Sequence, residues 1–292
     1  MAVDERDPHS GYVTTGHDWN GIKELNSPVP RIVLFFLAVT FAYSLAAWLL
    51  FPSWPLGRTF AKGLLGGDQK TAVAADIAAA TTARADWMTA LAKDDYATLH
   101  ANPDLMRRAL ETAGPIFGQN CQPCHGALGK GGPGFPRLAD KIWLWGGAPE
   151  EIEKTIRFGI NSTSPDAHVA QMPAFGRDGL LTRAEISTLT DYVQTLGKGV
   201  TPGDTSPGAT LFQANCAACH GTDAKGVAGT GAPNLTDTDW LYGGDAATIH
   251  QTLLNGRQGV MPTWQARLSD AQIRMLTLYV QYLSEKGTGD AP

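Results

Sequence analysis

The only four cysteines of this 292-residue chain come in two pairs, and each pair runs straight into a histidine: CQPCH from Cys121 to His125 and CAACH from Cys216 to His220. Two thiols at this spacing can add to the two vinyl groups of a haem, and the adjoining histidine can bind the iron from one face. The duplicated motif predicts two covalently attached haem c groups, held through Cys121, Cys124, Cys216 and Cys219, with His125 and His220 as iron ligands. Cysteine pairs also occur in dithiol redox motifs and as half of a zinc site. A zinc ribbon sets its pairs roughly 15–20 residues apart, far closer than these, and a dithiol motif does not need a histidine after both pairs.

The iron of such a haem commonly takes its second axial ligand from a distant loop, often methionine. Met88 and Met106 precede both motifs, and Met275 lies in a helical pattern where it reads as core. Met172 and Met261 each precede a proline, in MPAFG at 172–176 and MPTW at 261–264, and are the expected iron ligands. A buried, gap-filling methionine is the plainer alternative at both positions, and His168 is a rival to Met172. Iron held by histidine and methionine keeps no open site for oxygen or peroxide, and the thioether raises its potential. The chemistry implied is outer-sphere electron transfer, with no catalytic residue in this chain.

The elements that must position these residues repeat. Phe117 stands four residues before Cys121, and Phe212 four before Cys216; FPRL at 135–138 parallels APNL at 232–235, WLWGG at 143–147 parallels WLYGG at 240–244, and EIEKTIRFG parallels TIHQTLLNG. After each methionine comes a capping box, Thr182 with Glu185 and Ser269 with Gln272. Apolar residues then line one helical face, Ile186, Leu189, Val193 and Leu196 in one copy, Ile273, Leu276, Val280 and Leu283 in the other. Gly197 and Gly287 are placed to stop these helices. Each unit reads as helix, C-x-x-C-H, loop, short helix, methionine loop, closing helix. Pro136 and Pro233 are either simple loop prolines or the source of a carbonyl that takes the Nδ1–H of the ligand histidine. Trp143, Trp145, Trp240 and Tyr242 read as core. Glycine is abundant, 33 residues against a usual ~7%, as suits loops wrapped around a flat cofactor.

Upstream, no charge falls between Ile32 and Phe51. As a helix rising 1.5 Å per residue, this run spans about 30 Å, the hydrocarbon thickness of a bilayer. A cleaved signal peptide fits poorly, because a long polar stretch precedes the run. Residues 70–99 are Ala-rich and favour helix, a spacer lying on a partner. The balance of 23 basic against 28 acidic residues carries no nucleic-acid footprint. The expected fold is mainly α: a single N-terminal transmembrane helix followed by two tandem class I cytochrome c-like helical domains. The boundaries read as an N-terminal segment 1–31, an anchor 32–52, a partly helical linker 53–103, and cytochrome domains 104–199 and 200–292. Lysines and arginines flank both ends of the anchor, so charge leaves its orientation open. Haem attachment outside the cytoplasmic membrane of a bacterium would place residues 1–31 in the cytoplasm and both haem domains in the periplasm.

With both haem motifs, the anchor and the repeat, the chain resembles the CcoP/FixP family, the dihaem cytochrome c subunits of cbb3-type cytochrome c oxidases. GHDWNGIKELNSPVPR at 16–31, WPLGRTFAKGLLG at 54–66, WLWGG and QMPAFG carry that resemblance over nearly the whole chain. The resemblance implies that Cys121, Cys124, His125 and Met172 hold the first haem, and Cys216, Cys219, His220 and Met261 the second. It implies electrons arriving from a soluble cytochrome c or a bc1 complex. They would leave towards a monohaem cytochrome c subunit and a haem–copper catalytic subunit, where oxygen is reduced and protons are pumped. Trp19, Ile22 and Leu25 are candidate contacts with a membrane partner, or part of a solvated tail. Two other readings are a cytochrome subunit of a periplasmic dehydrogenase, which does not account for GHDWNGIKELNSPVPR, and a dihaem peroxidase, which the two Met-Pro loops oppose.

Overall fold

A computed structural model describes residues 5–199 and 205–287, so the expected domain boundary at 200 and the last residues of the second domain lie outside the described residues. The chain divides into two compact units, Met1–Ala83 and Arg84–Pro292.

In the first unit, β1 (Thr14–Trp19) and β2 (Ile22–Leu25) form an antiparallel hairpin with Trp19 opposite Ile22. Asn20 and Gly21 turn it with φ of 54° and 92°, the left-handed pair that an Asn-Gly turn supplies. Asp18 accepts the Gly21 N–H at 2.6 Å and closes the turn. Trp19 and Ile22 stand exposed at its tip. Helix α1 (Arg31–Leu50) follows Pro30 and has no buried residue. A helix apolar on every face needs an apolar solvent, and its intrahelical hydrogen bonds let it live in one. It is the one helix among the described residues long and apolar enough to cross a membrane. Its last carbonyls are not left orphaned: the chain folds back, and the N–H groups of Leu64 and Leu65 donate to Leu49 and Leu50 at 2.8 and 3.1 Å. Trp48 and Trp54 meet edge to face at that end, ring centres 5.1 Å apart.

The Ala-rich segment is helix α2 (Gln69–Lys93), then Asp95 caps a single turn, α3 (Tyr96–His100). Asn102 caps the next helix, α4 (Pro103–Asn120), with Pro103 in its first turn. The Asn-Pro pair therefore starts a helix as well as ending one. The order continues α5 (Gln122–His125), α6 (Pro149–Phe158), α7 (Arg183–Leu196), α8 (Pro207–Asn215), α9 (Ala217–His220), α10 (Ala246–Asn255) and α11 (Asp270–Lys286). Both capping boxes form, at Thr182/Glu185 and Ser269/Gln272.

The second unit holds two cores, and each draws elements from both of the expected domains, 104–199 and 200–292. One core joins α4 and α6 of the first repeat to α11 of the second, with Met261 and Trp264. The other joins α8 and α10 of the second repeat to α7 of the first, with Met172 and Phe175. Equivalent ring pairs mark the exchange: Phe117 meets Tyr279 at 5.3 Å, and Phe212 meets Tyr192 at 5.7 Å. Arg157 of α6 bridges Glu153 at 2.7 Å and Asp270 of α11 at 2.5 Å. The physical reason is that the two closing helices carry the same apolar pattern, so each core accepts either, as in domain swapping. Trp143 and Trp240 pack against the two cores as expected. Trp145 and Tyr242 instead reach over: Trp145 lies against Gly231, and Tyr242 against Gly134. Gly287 stops α11 at a φ of 70°. Gly197 keeps a right-handed conformation, and what demands glycine there is the Trp240 ring, 2.8 Å from where a Cβ would stand.

Candidate haem sites

Each C-x-x-C-H is one helical turn hung on the end of a longer helix. The Cys121 N–H donates to Phe117 at 2.8 Å and the His125 N–H to Cys121 at 2.9 Å; Cys216 and His220 repeat both bonds with Phe212 and Cys216 at the same distances. Residues three apart on a turn share a face, so both thiols of a pair point the same way and the histidine follows. Gly126 and Gly221 then end the turn at φ of 74° and 81°. Burial pushes the Cys121 and Cys216 thiols up to about 11, whereas Cys124 and Cys219 are exposed. One attachment point of each pair is thus packed and the other lies at the surface.

The two histidines are fixed alike. His125 Nδ1 lies 3.0 Å from the Pro136 carbonyl, and His220 Nδ1 lies 3.0 Å from the Pro233 carbonyl. A carbonyl only accepts, so each Nδ1 carries the proton and each Nε2 keeps its lone pair free for a metal. Burial holds both histidines below their ordinary pKa, with the proline carbonyls acting in the opposite sense. Neutral rings of fixed tautomer, beside paired thiols, fit a haem iron and its two vinyl groups. Among the described residues no group of three or more His, Cys, Asp or Glu side chains gathers as a metal cage.

The methionines sit on the two segments that cross between the cores. Met172 and Arg257 exchange backbone hydrogen bonds at 2.9 and 3.1 Å, and Ile160 and Met261 do so at 3.0 and 2.9 Å. Close approach demands glycine in both crossings. A Cβ on Gly159 would stand 2.2 Å from the Met261 carbonyl, and one on Gly256 2.5 Å from that of Met172, with φ of +79° and +70°. Met261 packs in the core that contains Cys121, Leu128, Leu138 and Trp143. Met172 packs in the core that contains Cys216, Leu235 and Trp240. The assignment of Met172 to the first motif and Met261 to the second therefore departs from the packing, because the chain changes cores between each histidine and the next methionine. His168 is stacked on Trp145 with ring centres 4.2 Å apart, and its backbone bonds Gly159 and Asn161.

Sequence reasoning passed over Asn161. Its φ is 49°, and its amide reaches both crossing segments. The signal available was a mismatch in the repeat: the first loop runs from Gly159 to Met172, while the second covers only Gly256 to Met261.

Comparison with known proteins adds three matching family models: "N-terminal domain of cytochrome oxidase-cbb3, FixP" over residues 11–58, "Cytochrome c" over 112–197, and "Cytochrome C oxidase, cbb3-type, subunit III" over 203–280. The chain is 44% identical to the cbb3-type cytochrome c oxidase subunit CcoP of Azospirillum sp. (strain B510), over 97% of this chain and 99% of that one. It is 45% identical to subunit FixP of Azorhizobium caulinodans over 95% and 94%, and 43% identical to subunit CcoP of Cereibacter sphaeroides over 92% and 94%.

Proposed function

Because the chain belongs to the CcoP/FixP family of cbb3-type cytochrome c oxidase subunits, carrying haem c and moving electrons, we propose that it is the membrane-anchored, two-haem relay between a periplasmic donor and the haem–copper subunit of its oxidase. The donor is a soluble cytochrome c or a bc1 complex, and electrons pass on through the monohaem cytochrome c subunit to the subunit that reduces oxygen. The chain is not an oxygen-reducing enzyme by itself. Residues 1–31 face the cytoplasm, α1 crosses the inner membrane, and both cores lie in the periplasm.

Cys121, Cys124 and His125 hold one haem, and Cys216, Cys219 and His220 the other. Met261 completes the first site and Met172 the second, so each site is built from both repeats. A bound haem supplies one-electron chemistry at its iron, and this chain supplies everything around it. The proline carbonyls orient the histidines, the methionine sulfurs would hold the iron opposite them, and the apolar cores would keep water from it. The observation that carries this reading is the pair of matched Nδ1–carbonyl bonds, which leave one free ring nitrogen beside each pair of thiols.

The test is purification of the intact chain from membranes by a C-terminal tag. Expected are two haems retained per denatured chain, co-purification of a haem–copper subunit, and loss of that partner when residues 1–52 are replaced by a cleavable export signal. A preparation holding a flavin or quinoprotein dehydrogenase and no haem–copper subunit would contradict the oxidase role while leaving electron transfer standing.

A further inference from the structure

The two methionine loops meet at one side chain. The Asn161 amide nitrogen donates to the carbonyls of Ala170 and Gly259, both at 2.8 Å, and its oxygen accepts the Ala170 N–H at 3.1 Å. Ala170 lies two residues before Met172, and Gly259 two before Met261. One planar group thus grips the same point of two equivalent loops, which belong to different repeats. Its backbone is held as well, with the Asn161 N–H donating to His168 at 2.7 Å. The φ of 49° is one that asparagine tolerates better than most residues, and it aims the amide back between the two segments. The strand pairing of Ile160 with Met261 and of Met172 with Arg257 lies directly beside this grip.

We propose that Asn161 is a shared clasp that positions both axial methionines, so that the sulfur ligation of the two irons is mechanically linked. A carbonyl on each loop is satisfied by the same NH2 group, so removing it frees both loops together. Release of either sulfur pulls on the amide that restrains the other. Asn161 touches neither iron; it acts through the loops. The proposal rests on the reading of Met172 and Met261 as iron ligands.

The test uses the two-haem protein matured in a competent host. Asn161→Gly keeps the positive φ without strain and removes the amide. Asn161→Asp keeps the shape and replaces the donor with an acceptor facing two carbonyls. Methionine lability is read in the two-haem protein as displacement of sulfur by added imidazole, followed by loss of the sulfur-to-iron charge-transfer band in the near infrared, with each haem's share of the band assigned from parallel variants that retain only one cysteine pair. Both variants are expected to bind imidazole more tightly at both haems, by roughly tenfold, the effect of losing a hydrogen bond of ordinary strength. Far-ultraviolet helix content should stay unchanged under the same conditions. An unchanged imidazole affinity, or a change at one haem only, would overturn the clasp. A parent protein without the sulfur band would instead overturn the ligand reading on which it rests.

Discussion

Phe212→Ala is expected to destabilise the protein by about 3–5 kcal/mol, the range for truncating a fully buried phenylalanine and leaving a cavity. Phe212 is 0% exposed and stands at the centre of the second core, and the loss is a large part of the roughly 5–15 kcal/mol that holds a domain folded. The more discriminating expectation concerns its partner. Phe212 meets Tyr192 of α7, and Phe117 meets Tyr279 of α11. Double-mutant cycles on Phe212/Tyr192 and Phe117/Tyr279 should each give a coupling of about 0.5–1.5 kcal/mol. The pairs Phe212/Tyr279 and Phe117/Tyr192, which a contiguous arrangement would bring together, should add independently. Denaturant unfolding of the holoprotein measures all four. Coupling in the second set and none in the first would restore two contiguous domains.

The second large effect is on ligation. In a protein that keeps only the first haem, through Cys216→Ala with Cys219→Ala, Met261→Ala should abolish the near-infrared sulfur band. It should also lower the midpoint potential on the order of a few tenths of a volt, within the roughly 0.8 V that axial ligands span. Met172→Ala in the same protein should leave the band in place. In the converse protein, through Cys121→Ala with Cys124→Ala, the two methionines should change roles. The reverse pattern would return each methionine to its own repeat.

Local chemistry was legible along the whole chain. The cysteine pairs, the capping boxes and the helical faces of α7 and α11 depend on residues a few positions apart, and such patterns survive any tertiary arrangement. The long apolar helix α1 was legible from the length of its uncharged run. Asn20-Gly21, between Trp19 and Ile22, carried a hairpin signal that reading 1–31 as a plain segment passed over. The exchange of closing helices was not legible, and its reason is physical. Ile186, Leu189, Val193 and Leu196 present the same face as Ile273, Leu276, Val280 and Leu283. Periodicity says that each is buried, and cannot say in which copy of the core. The same blindness misplaced Trp145 and Tyr242, whose likeness within the repeat hid the fact that each lies against the other repeat's loop. Gly197 does stand where α7 ends, as expected, but its lack of a side chain answers to Trp240, a contact distant in sequence. Asn161 acts through loops that sequence order keeps far apart.

In the proposed function, electrons reach oxygen through this chain. The direct measurement is oxygen consumption by the purified oxidase complex with reduced soluble cytochrome c as donor. It compares the complex carrying the natural chain with one in which all four cysteines are replaced by alanine. The natural complex should reduce its c-type haems before oxygen is consumed, at a rate that falls as salt rises, since charge complementarity steers such encounters. The cysteine-free complex should lose at least about 99% of the rate, a loss equal to some 2.7 kcal/mol or more of barrier. It should still consume oxygen when a small artificial donor feeds the catalytic subunit directly. An undiminished rate from cytochrome c in the cysteine-free complex would contradict the account.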